Sequence, residues 1–110
     1  LYLGNDKFIV IERAFSTGRI PTDIKIFLAD AANAEDVSMV PSIKTVPPNQ
    51  YISKRLLLDV NKALPFDIFN IEGVTFGPIL ANGHRSLVLV TDNNFNVGEK
   101  TQFFLFDVLP

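Results

Sequence analysis

Apolar residues in this chain come in short bursts, not at helical spacing. KFIVIER (7–13), DIKIFLAD (23–30), KRLLLDV (54–60), IEGVTFG (71–77), SLVLVTD (86–92) and QFFLFDV (102–108) are each rich in β-branched and aromatic residues. Gly, Pro, Asn or Asp bounds every one of them, which is the signature of strands. ANGHR (81–85) carries the Asn-Gly pair of a tight hairpin turn. A short helical turn is expected near Ala34–Met39, with Asp36 as its cap. Pro41, Pro47 and Pro48 make 40–52 a loop.

FIVI, LLL, LVLV and FFLF do not alternate apolar with polar. Such strands put apolar side chains on both faces of a sheet, and both faces then need cover. The blades of a β-propeller provide that. The chain also repeats itself. FIVIERAF (8–15) overlays VLVTDNNF (88–95), setting Glu12 on Asp92 and Phe15 on Phe95, and IFLAD (26–30) overlays FFLFD (103–107). The offset is nearly twice a blade repeat of about 40–45 residues. The expected fold class is all-β, with antiparallel β-propeller blades. Six strands make about one and a half blades, with 1–60 the end of one and 61–110 most of the next, as part of a larger ring.

The 110 residues carry a net charge of −2, with no basic tract to follow a phosphate backbone, so nucleic acid is not an expected partner. No apolar run is long enough for a membrane span. The absence of cysteine excludes disulfides and thiol catalysis and leaves the compartment open; a secreted or periplasmic setting is the expectation.

Candidate chemistry gathers at strand ends. If 71–77 and 86–92 pair around Asn82-Gly83, Glu72 comes near Asp92, Asn93 and Asn94. Two carboxylates and amide oxygens suit a hard cation such as Ca²⁺. Without one, paired carboxylates can divide acid and base duties. Turn chemistry alone also explains Asp and Asn at a strand end. Glu12 ends the equivalent strand of the preceding blade and joins Glu72 and Asp92 as a candidate metal ligand. Arg13 can hold a phosphate oxygen, and Lys54 is a further candidate for substrate. His84, the single histidine, falls in a hairpin turn and is expected to be exposed, which does not suit a serine-esterase triad.

Asn70-Ile71-Glu72-Gly73, Phe76-Gly77-Pro78, Leu89 through Phe95 and Thr101-Gln102-Phe103 resemble the phytase-like family, also called the esterase-like-activity-of-phytase domain. Ile11-Glu12-Arg13, Glu35 through Ser38 and Lys54 through Asp59 are similar to its earlier segments, in the same order. The resemblance is to the closing portion of the family. It implies a β-propeller that hydrolyses phosphate esters, monoesters or diesters, at acidic residues. The expected partners are a phosphate-ester small molecule and the remaining blades of the same propeller. The alternative is a non-catalytic propeller that binds or scaffolds across its loop face.

Overall fold

The computed structural model describes residues 1–16 and 19–109, and for 15, 16 and 19–22 the backbone alone. Among the described residues, seven strands form two antiparallel sheets. The first has the order β1 (Tyr2–Gly4), β2 (Lys7–Ser16), β3 (Arg19–Asp30), β4 (Ser53–Asp59). The second has the order β5 (Asn70–Ile79), β6 (Arg85–Asp92), β7 (Phe103–Val108). One turn of helix, α1 (Val60–Ala63), follows β4. No helix among the described residues is long and apolar enough to cross a membrane.

All six strand-rich segments form strands, and β1 adds a short one that the sequence pattern does not mark. The helical turn expected near Ala34–Met39 does not form. Asp36 Oδ1 instead accepts from the Ser38 backbone N–H at 2.9 Å, so the residue organises a local turn. The prolyl loop folds into two 3₁₀ turns, Ile43–Thr45 and Pro48–Gln50.

The sheets share one core. Ile24 and Ile26 of β3 and Val60 of α1 meet Ile71, Leu87, Leu89 and Phe104 of the second sheet. Ile24, Val60 and Leu89 are fully buried. Burying such side chains stabilises the fold by about 1.5–3 kcal/mol each. Register decides which residues face this core. Arg13 pairs with Ile24, and Glu12 pairs with Lys25. Neighbouring residues of a strand point to opposite faces, so Arg13 shares the core-side face and Glu12 does not.

The internal repeat is real for β2 and β6, where Ile9 and Leu89 occupy matching core positions. For β3 and β7 the overlay is one residue out of step. Ile9 pairs with Leu28, whereas Leu89 pairs with Phe104. The counterpart of Leu28 is therefore Phe104, not Leu105, and a one-residue slip exchanges the faces. The side chain of Phe15 lies outside the described residues.

Candidate functional site

Asn82-Gly83 does turn the chain between β5 and β6. Gly83 has φ +84°, a left-handed conformation open to glycine. Asn82 Oδ1 accepts from the His84 backbone N–H at 3.0 Å, and the Leu80 N–H donates to the His84 carbonyl at 2.8 Å. At the far end of this hairpin Asn70 pairs with Asp92 and Ile71 with Thr91. The next pair is Gly73 with Val90, so Glu72 has no residue opposite it. Glu72 is the extra residue of a β-bulge, a device that re-aims a side chain.

The Glu72 carboxylate accepts one hydrogen bond and faces one cation. Asn70 Nδ2 donates to Oε1 at 2.7 Å. Arg13 Nη1, from the other sheet, lies 3.4 Å from the same oxygen. Asn70 Nδ2 also reaches Asn94 Oδ1 at 3.3 Å. The Asn94 N–H donates in turn to Asp92 Oδ1 at 3.0 Å, and its amide donates to Glu99 Oε2 at 2.8 Å. Arg13, Glu72, Asn70 and Asn94 thus form one connected polar cluster from β2, β5 and the loop after β6, and Asp92, the last residue of β6, joins it through the Asn94 backbone N–H alone. Asn93 lies in the same loop, where its Oδ1 accepts from the Phe95 N–H at 3.1 Å. Asn94 and Phe95 are both left-handed, with φ 50° and 53°. Asparagine tolerates that conformation, while a bulky aromatic rarely adopts it.

Two expected site residues lie elsewhere. Glu12 turns to the face opposite Arg13 and forms an ion pair with Lys54. Lys54 Nζ also lies 4.9 Å above the centre of the Phe27 ring. The repeat sets Glu12 on Asp92 along the strand, and by the same parity both residues stand on the strand face away from Ile9 and Leu89. Among the described residues, no three His, Cys, Asp or Glu side chains gather closely enough to hold a metal ion, so Glu72, Asp92 and Glu12 are not a ligand trio.

Asn70 and Glu99 are residues of the cluster that the strand pattern did not single out. Asn70 is 7% exposed, and its Oδ1 is buried without a hydrogen-bond partner. Regular counting back from the Ile79–Arg85 pair sets Glu72, not Asn70, opposite Asp92, and only the two register shifts in this hairpin bring Asn70 there. Glu99 accepts from both Asn94 and Asn96 and closes a loop that only tertiary structure defines.

At the turn end, His84 is partly buried, not exposed as expected. Its Nδ1 lies 2.8 Å from Asp107 Oδ1, and Asn82 Nδ2 donates to the other oxygen at 2.7 Å. Ser86 is fully buried, and its hydroxyl donates to the Pro78 carbonyl at 2.6 Å. That hydroxyl is therefore not presented to His84 as a nucleophile.

No curated protein matches the chain, and no solved structure does. The family model described as "Phytase-like: Esterase-like activity of phytase" matches residues 1–95, a stretch that holds Arg13, Glu72 and the Asp92-Asn93-Asn94 turn and stops short of Thr101-Gln102-Phe103. Covering most of the chain and every member of the cluster but Glu99, that match shows that the chain belongs to the phytase-like family.

Proposed function

We propose that this chain is part of a phosphoric ester hydrolase whose reaction centre is the cluster around Glu72. The single observation that carries the reading is the meeting of Arg13 and Glu72 across two sheets, 3.4 Å apart, in a family described by its esterase-like activity. A guanidinium offers planar paired donors to a phosphate oxygen. When phosphate takes Arg13, the Glu72 carboxylate is released to accept the proton of an attacking water. Asp92 shares the acid and base duties, with one oxygen engaged by the Asn94 N–H. Asn93 and Asn94 supply the polar wall. Glu12 and Lys54 stay with their own ion pair, outside this centre.

Divalent cation binding, Ca²⁺ first, belongs to the proposal. The donor set fits such an ion in kind: two carboxylates, amide oxygens and the unpartnered Oδ1 of Asn70, all hard oxygen ligands. When bound, a cation would neutralise phosphate charge and lower the pKa of a bound water. In architecture, we take the two sheets to be neighbouring blades of a larger propeller, the chain holding about one and a half, from its C-terminal part, in a secreted or periplasmic protein.

The test is turnover of p-nitrophenyl phosphate and bis-p-nitrophenyl phosphate by the full protein, with and without Ca²⁺ and chelator. Hydrolysis that is lost in Glu72→Gln and in Asp92→Asn, with both variants folded, supports the reading. Binding of phosphate esters without turnover would replace it with a scaffold or binding role.

A further inference from the structure

Asn70 opens β5 opposite Asp92 and makes two contacts that no other side chain of the cluster makes together. Its Nδ2 holds Glu72 Oε1 at 2.7 Å and Asn94 Oδ1 at 3.3 Å. One amide group therefore ties the bulge to the loop after β6. Its own carbonyl oxygen is buried with no hydrogen-bond partner.

We propose that Asn70 is a positioning residue, whose amide sets the Glu72 carboxylate beside Arg13. This rests on the reading of Glu72 as the proton acceptor. Three physical points favour it. A bulged residue has no partner across the ladder to fix it, so its side chain needs an outside anchor. Only an amide serves here. Aspartate would set a carboxylate against Glu72 with Asp92 opposite, and serine would not span both acceptors. Finally, a residue kept for stability alone would not bury an unpaired carbonyl, since that desolvation is unfavourable. A group that costs stability yet organises a carboxylate is what a stability–activity compromise predicts.

The experiment compares Asn70→Ser, Asn70→Asp, Glu72→Gln and the double variant Asn70→Ser/Glu72→Gln in the full protein. Hydrolysis of bis-p-nitrophenyl phosphate and thermal melting are both measured. Asn70→Ser is expected to lower kcat by about ten-fold or more, the scale of a misplaced reacting group. KM should hold, and the melting temperature should stay within about 4 °C. The double variant should lose no more activity than Glu72→Gln alone, because Asn70 acts through Glu72. Asn70→Asp should be at least as impaired, and it covers the case in which the serine variant does not fold. Full kcat in a folded Asn70→Ser or Asn70→Asp overturns the inference while leaving the reading of Glu72 intact. Activity losses that multiply in the double variant overturn it too. Unchanged activity in Glu72→Gln, or no turnover by the unaltered protein, overturns the reading itself and this inference with it.

Discussion

Arg13 of the first sheet and Glu72 of the second stand 3.4 Å apart, nearest oxygen to nearest nitrogen, at 38% and 46% side-chain exposure. Half-exposed ion pairs of this kind contribute about 0–1 kcal/mol to stability. Glu72→Gln is therefore expected to leave the melting temperature almost unmoved while cutting hydrolysis by about a hundred-fold or more, the usual scale for a lost general base. Arg13→Ala should weaken inhibition by inorganic phosphate, with a similarly small thermal shift. If Glu72→Gln melts several degrees lower and keeps its turnover, the pair is a structural clasp between the sheets.

Gly73 follows the bulge, and a Cβ there would lie 2.5 Å from the Val90 Cγ1 methyl. Valine is stiff, so this methyl has few ways to yield. Gly73→Ala is expected to destabilise the protein by about 1–3 kcal/mol through overpacking. Adding Val90→Ala should recover part of the loss, although Val90→Ala alone should destabilise. Urea melts of the three variants check this. Additive losses would mean that the close approach is not what requires glycine.

The strands were legible because β-branched and aromatic runs broke cleanly at Gly, Pro and Asn, and Asn82-Gly83 fixed the hairpin that brings Glu72 to the end of Asp92. What escaped depends on pairing. β1 is three residues long, too short to show a period. The bulge at Glu72 arises from a mismatch between two strands, which neither strand shows alone. Glu12 meets Lys54 and not Glu72 because strand parity, not position along the repeat, sets its face. Asp36 looked like a helix cap because an Asx turn and an N-cap use the same side-chain chemistry.

Acid should loosen the fold through carboxylates away from the site. The Ala32 backbone N–H and then the Lys7 ammonium hold the Asp30 carboxyl below its ordinary 3.8. The Ser38 N–H does the same for Asp36, and the Lys62 ammonium for Asp59, against a raising effect of burial. A carboxylate with a folded-state pKa below its unfolded value contributes stability that is complete above the unfolded value. That contribution falls away as pH drops through 3.8 toward the lower folded values. Urea midpoints should thus be flat on this account near neutrality and drop below about pH 4. Asp30→Asn should make that acid limb shallower. An equally steep limb in the variant would remove Asp30 from the cause.

Phe95 has φ 53° and is 99% exposed, so its backbone is strained and its side chain gains nothing from burial. The left-handed conformation costs a non-glycine residue about 1–2 kcal/mol, with asparagine partly exempt. Phe95→Asn is expected to raise stability by several tenths of a kcal/mol up to about 1 kcal/mol. If it also weakens KM for aryl phosphate esters, the strain holds an aromatic against the substrate, as strained residues at functional sites do. A destabilised variant would show that the ring packs onto something in the native protein.

Among the described residues β7 pairs with β6 alone and stands at an edge of its sheet. Phe103 and Leu105 stand 73% and 61% exposed on it, paired with Val90 and Val88 on the face away from Leu89 and Phe104. The first sheet covers the matching strand, β3, with β4. An open apolar edge is a template for pairing with another chain. Leu105→Lys puts a charge on that edge without touching the core. It should suppress concentration-dependent self-association of the 110-residue chain, while the melting temperature holds. Light scattering across a dilution series, beside Phe104→Ala as a core control, decides the matter. Undiminished association in Leu105→Lys would place the sticky surface elsewhere, with the exposed loop after β6 next to be charged.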